Sequence, residues 1–157
     1  MSNRSTVHDT MVLERVYPVD VERVFAAWSD PAAKRLWFAG VDGDGEYELD
    51  FRVGGREFTR AALPDDGEVY TYDAVYQDIV PERRIVYTDY MLRNGERISV
   101  SLTSVEFAPE EQGTRLILTE HGIYLDDLDK PEYRRQGILE QLEALAAVLD
   151  DVPAAQG

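Results

Sequence analysis

This sequence predicts an α+β fold in which a curved antiparallel sheet wraps one long C-terminal helix. Three observations carry that prediction. Residues 131–149, PEYRRQGILEQLEALAAVL, place Ile138, Leu142, Leu145 and Leu149 at spacings of four, three and four. That spacing makes one apolar face of a helix with a period near 3.6, and Leu139 and Ala146 widen it. Most of the chain before it reads as about six to seven strands joined by short turns, the pattern of an antiparallel sheet. Two short capped helices follow the first strand, so helices and strands are segregated rather than alternating.

Length and composition bound the rest. The 157 residues, 44% of them hydrophobic, suit one domain with a sizeable core, read here as residues 10–150 between loose termini at 1–9 and 151–157. No apolar run approaches the 18 residues of a membrane span. The first ten residues, MSNRSTVHDT, lack the apolar segment of a signal peptide. There is no cysteine, which removes disulfides, thiolate metal sites and cysteine nucleophiles together. A cytoplasmic location fits these absences. Sixteen basic against 31 acidic residues give a net charge of −15, which repels a phosphate backbone and speaks against nucleic acid as a partner. Monomer and homodimer are both compatible with the sequence.

The elements follow in order. Residues 10–17 form a first strand with Met11 and Leu13 on one side, ended by Pro18. Asp20 caps a helix over 21–28 whose buried stripe is Val24, Phe25 and Trp28. Asp30 caps a second helix over 31–37, with Pro31 in the first turn where no NH is needed and Gly40 as its stop. The acidic loop 41–45 lacks the ligand series of a calcium loop. Gly54-Gly55 reads as a two-residue hairpin turn, pairing Phe51 with Phe58 toward the core and Arg52 with Glu57 toward water. Arg60 then has inward parity. Residues 68–80 form a long strand with Tyr70, Tyr72 and Tyr76 on one face and Val69, Thr71 and Val75 on the other. Either face is compatible with burial. Asn94-Gly95 is the clearest hairpin signal. It pairs Met91 with Ile98, Asp89 with Val100 and Tyr87 with Leu102 on the inner face. Ser99, Ser101 and Thr103 fall on the wet face, and a bulge is expected near residues 103–104, where apolar parity moves to Val105 and Phe107. Residues 114–120 form the last long strand, with Leu116, Leu118 and Glu120 aligned. An acidic connector over 122–130 leads into the final helix.

Four stretches in this order resemble one known group: VERVFAAWSDPAAKRLWF at 21–38, DFRVGGREF at 50–58, IVPERRIVYTD at 79–89 and GTRLILTEHGIYLDD at 113–127. The chain resembles the AHSA1-like (activator of Hsp90 ATPase homologue) group of the SRPBCC or START-like superfamily, which has the Bet v 1-like, helix-grip fold. The resemblance covers about residues 10–150. It implies a curved sheet gripping the C-terminal helix, with an apolar cavity between them that in many relatives binds small hydrophobic molecules. Some members of the wider superfamily are cyclases or aromatases. Asp89 stands where relatives often carry Trp.

Residue chemistry narrows the function. His8 and His121 have no further ligands at fixed spacing, so no metal site is expected. No Ser-His-Asp order, phosphate loop or dinucleotide fingerprint is present, and no cofactor is expected. Asp89 and Glu120 share inward parity with apolar neighbours. Buried without partners, either would rise in pKa and could carry a proton as a catalytic acid or base. They could instead share one proton, be offset by Arg60, or bond within a structural network. The expected reading is a module that binds a small apolar or aromatic molecule rather than an enzyme. Its walls would be Trp37, Phe38, Phe51, Phe58, Tyr87, Met91, Val100, Ile138, Leu142 and Leu145. Arg60, Tyr87, Asp89 and Glu120 would orient the ligand. The alternatives are a cofactor-independent acid–base enzyme with Asp89 or Glu120 as proton carrier, and a chaperone-regulator-like interaction domain with an exposed apolar patch.

Overall fold

The computed structural model describes residues 4–39, 45–62 and 67–151. Seven strands form one sheet: β1 (Thr6–Tyr17), β2 (Glu46–Leu49), β3 (Arg56–Ala62), β4 (Val69–Val80), β5 (Arg84–Arg93), β6 (Glu96–Glu110) and β7 (Gly113–Leu125). Their spatial order is β1-β7-β6-β5-β4-β3-β2, and all neighbours are antiparallel. Helices α1 (Val21–Ser29) and α2 (Pro31–Lys34) follow β1, and α3 (Pro131–Asp151) follows β7. No helix among the described residues is long and apolar enough to cross a membrane.

Local chemistry sets these boundaries. Asp20 accepts a hydrogen bond from the Arg23 NH at 3.0 Å, and Asp30 accepts one from the Ala32 NH at 3.2 Å, so both acids cap helices as expected. The second helix is shorter than residues 31–37. It passes at Arg35 into a single wider π turn, Arg35–Ala39. Gly40 and residues 41–44 of the expected acidic loop lie outside the described residues. β1 starts at Thr6, so residues 6–9, expected to be loose, pair with β7. β7 likewise runs to Leu125, well into the expected connector.

The inward faces of the sheet and the stripe of α3 share one core. Met11, Leu13 and Tyr17 of β1 and Leu116 and Leu118 of β7 pack with Ile138, Leu142, Leu145 and Leu149. The Tyr17 hydroxyl donates to the Leu142 carbonyl at 3.1 Å, tying β1 to α3. Phe25 and Trp28 of α1 meet Phe107 edge-to-face at 5.3 and 6.1 Å. On β4 the tyrosine face is inward: Tyr72, Ala74 and Tyr76 are buried and Val75 is exposed.

Both hairpin registers differ from expectation. In β2–β3, Glu48 rather than Phe51 lies opposite Phe58, a displacement of three residues. The physical reason is that the tight turn centres on Val53-Gly54, closed by the Gly55 NH donating to the Arg52 carbonyl at 2.7 Å, and not on Gly54-Gly55. The Gly54 NH donates to the Tyr76 carbonyl and the Tyr76 NH to the Gly55 carbonyl, so β4 recruits this pair. A side chain at Gly55 would come within 2.0 Å of the Asp50 carbonyl, so the close approach there needs glycine. An odd displacement reverses the faces. Glu57 is therefore buried, Arg60 is exposed, and Phe58 lies outward beneath Arg56, whose guanidinium is 4.4 Å from its ring centre. Phe51 does not pair with Phe58; it packs edge-to-face on Phe25 and Tyr76.

In β5–β6 the Asn94-Gly95 turn forms as read, with φ of 51° and 84°. The bulge lies at its base, between the Met91 and Leu92 pairs, and not near residues 103–104. Beyond it Met91 faces Ser99, Asp89 faces Ser101 and Tyr87 faces Thr103. Ser99, Ser101 and Thr103 are consequently buried, whereas Val100 and Leu102 are exposed on the outer face. The bulge thus turns three hydroxyls inward beside Asp89.

Candidate functional site

Between the sheet, the π turn and α3 lies a cavity of about 330 Å³. Its apolar wall is built from Trp28, Trp37 and Phe38 on one side and Tyr72, Tyr87, Met91 and Leu118 of the sheet on the other. Ile138 and Leu142 of α3 close it, with Tyr133, Gly137 and Gln141 alongside. The wall is held by directional contacts. Trp28 and Trp37 meet edge-to-face at 4.7 Å, Phe38 meets Tyr72 at 5.2 Å, and the Trp37 ring NH donates to the Ala27 carbonyl at 2.9 Å. The Gln141 amide donates to the Phe38 carbonyl at 3.2 Å, joining α3 to the π turn.

One end of the cavity is polar. Arg134 of α3 reaches down to the sheet with its side chain 10% exposed. Its Nε donates to Glu120 at 3.0 Å, and its Nη2 donates to Ser101 at 2.9 Å and to Asp89 at 3.3 Å. Thr103 donates to the other Glu120 oxygen at 3.3 Å. Both carboxylates are buried, and Oδ2 of Asp89 has no hydrogen-bond partner among the described residues. Burial pushes the Asp89 carboxyl up to about 7; Arg134 pulls it the other way, and Glu120 adds to the rise. Burial opposes the charge on Arg134, yet Glu120 and Asp89 hold its pKa above the ordinary value. Burial also raises the Tyr72 and Tyr87 phenols well above their usual range, with Asp89 adding to both.

A second buried ion pair stands behind the aromatic wall. Lys34 Nζ donates to both Glu57 oxygens at 3.0 and 2.8 Å, and the Tyr47 hydroxyl donates to Glu57 at 2.8 Å. The ammonium also lies 4.3 Å from the Phe38 ring centre and 5.3 Å from that of Trp37. Burial lowers the Lys34 pKa and Glu57 opposes that fall.

Seven of the expected site residues come together around this cavity: Trp37, Phe38, Tyr87, Met91, Glu120, Ile138 and Leu142. Asp89 lies behind Arg134 and Leu145 lies in the core, neither of them in the cavity wall. Phe51, Phe58, Arg60 and Val100 are elsewhere, for the register reasons given above. Arg134, not Arg60, offsets the two acids. It was legible in principle: the stripe of Leu142 and Ile138, carried one step of four residues back, falls on Arg134. The sequence places Trp28 in the core and is compatible with either face for Tyr72; both are wall residues as well. His121 is exposed, with Nδ1 3.0 Å from the Thr10 hydroxyl. Among the described residues no three His, Cys, Asp or Glu side chains converge to hold a metal ion.

Comparisons with known proteins agree with this architecture. An uncharacterized protein from Rhizobium leguminosarum is 43% identical with a TM-score of 0.89, over 94% of this chain and 97% of its own. The Mll3558 protein from Rhizobium loti is 45% identical with a TM-score of 0.85, over 92% of this chain and 99% of its own. An AHSA1-like protein from Aeromonas hydrophila has a TM-score of 0.66 at 19% identity, over 90% of this chain and 92% of its own, a likeness of fold alone. No curated protein matches. Residues 18–150 match the family described as activator of Hsp90 ATPase homolog 1-like protein. With its open seven-stranded antiparallel sheet and the C-terminal helix packed against it, the chain belongs to this AHSA1-like family of the Bet v 1-like, helix-grip fold.

Proposed function

We propose that this protein binds a small, mainly apolar or aromatic molecule in the cavity between the sheet and α3. The fold supports a ligand-binding or regulator-like domain in general. The observation that carries the finer reading is the cavity itself, an aromatic wall with one polar end and a volume in the range of small-molecule sites. A ligand burying about 200 Å² of apolar surface would gain about 5 kcal/mol before association costs.

Acid–base catalysis is less well supported by the same geometry. Glu120 reaches the cavity, but its oxygens are engaged by Arg134 and Thr103. Asp89 is shielded by Arg134. A proton carrier would have to be released from this network first. An interaction surface on the outer sheet face is also less favoured. Val12, Val16, Val75, Val100 and Leu102 are exposed there, but all except Val100 face a polar cross-strand neighbour, Thr119, Arg115, Thr88 and His121 respectively.

The test is titration with the neutral fluorescent probe N-phenyl-1-naphthylamine, read through quenching of Trp28 and Trp37. Saturable one-to-one binding is expected. Gly137→Phe should weaken it at least tenfold, since open space surrounds the position of that side chain at the cavity rim. Val12→Phe on the outer face should leave it unchanged. Absence of saturable binding, or equal affinity in both variants, would refute the reading.

A further inference from the structure

Resting on that cavity reading, we propose that the site takes an apolar molecule bearing an uncharged oxygen acceptor, received by Nη1 of Arg134, and rejects the carboxylate of the same skeleton. Two observations lead there.

The first is the tally of donors on Arg134. A guanidinium has five N–H groups in a fixed fork. Nε is taken by Glu120, and Nη2 by Asp89 and Ser101. Among the described residues, the only acceptor within hydrogen-bond geometry of Nη1 is the Met91 sulfur, at 3.8 Å, and a thioether is a weak acceptor; the buried Tyr124 hydroxyl lies close enough for its pKa to feel the guanidinium but forms no hydrogen bond. Arg134 and Met91 both line the cavity, so the unspent donors lie where a ligand oxygen would arrive. The three oxygen bonds hold the fork still, which removes the ordering cost that a free arginine would bring.

The second is charge. Arg134 is already shared by two buried carboxylates, Asp89 and Glu120. A ligand carboxylate would be the third anion on one cation, in a place with little water to screen it. Glu46 and Asp129 also line the cavity, against Arg35 as the other cation. A ketone, amide or ether oxygen accepts from Nη1 without meeting that repulsion.

Three probes of one shape separate the outcomes: naphthalene, 2-acetylnaphthalene and 2-naphthoate, titrated at pH 8 by tryptophan fluorescence. The ketone should bind about five- to tenfold tighter than naphthalene. Naphthoate should bind at least tenfold more weakly than the ketone. In the Asp89→Asn, Glu120→Gln double variant the cation is released, and naphthoate should gain at least tenfold. A measurement on the unaltered protein stands beside this, in case the double variant does not fold: the NMR signals of the Arg134 guanidinium should shift with the ketone and not with naphthalene. Naphthoate binding as tightly as the ketone would overturn the charge rule. Equal affinity for ketone and naphthalene, with Arg134 signals unmoved, would overturn the donor role. Failure of all three probes to bind would refute the cavity reading itself, and this inference with it.

Discussion

Replacing Asp89 by Asn should flatten the pH dependence of stability. Burial pushes the Asp89 carboxyl up to about 7 in the folded protein, against an ordinary value of 3.8. Between those two values the native state keeps a proton that the unfolded chain has released. Stability therefore falls as pH rises through this window. That rise corresponds to about 4 kcal/mol, of which roughly 2–3 kcal/mol falls between pH 5 and pH 8. Asn keeps an oxygen for the Arg134 Nη2 contact and cannot ionise. It places an amide where Oδ2 has no partner, a cost of about 1–3 kcal/mol that is the same at either pH. Urea unfolding of wild type and Asp89→Asn, followed by the fluorescence of buried Trp28 and Trp37, reads this directly. Wild type should lose roughly 2–3 kcal/mol relative to the variant on going from pH 5 to pH 8. Parallel pH profiles would refute the reasoning, because they would mean that Asp89 holds no extra proton in the folded state.

Breaking the pair behind the aromatic wall has a different signature. Lys34→Met leaves Glu57 buried without its cation and should cost about 3–5 kcal/mol, while the Lys34→Met, Glu57→Leu double variant should recover most of that loss in a denaturation cycle. Gly137 is an exposed residue inside α3, and a side chain there would meet nothing within 4 Å, so Gly137→Ala should stabilise the protein by about 0.5–1 kcal/mol with a raised melting temperature.

Much of this arrangement was legible in the sequence, and the failures have one physical origin. Capping acids and helical periodicity are local signals, and Asp20, Asp30 and the stripe of α3 stand where they place them. Asp89 and Glu120 point inward because each shares a strand face with apolar residues: Ile85 and Tyr87 for one, Leu116 and Leu118 for the other. Register is not local. A glycine pair that looks like a hairpin turn is drawn into pairing with β4, and the face of Phe58 reverses. A bulge at Ile98 in place of one further along moves Val100 out and Ser101 in. Arg134 escaped for another reason. Its charge marks it for solvent, and only the two acids that await it on the sheet, distant in sequence, bring it inside.

The pairing of β1 with β7 has a consequence for biosynthesis. Thr10 and His121 face each other across 111 residues of chain. A ribosome adding about 5–20 residues per second delivers the partner roughly 5–20 s after β1 has emerged. Through that interval Met11, Leu13 and Tyr17 have neither the neighbouring strand nor α3 to cover them. The first of the seven strands waits longest for its partner, so the nascent chain carries an apolar, unpaired edge while the 111 intervening residues are made. Assistance by a holding chaperone should raise the yield of folded protein more than any change within α3.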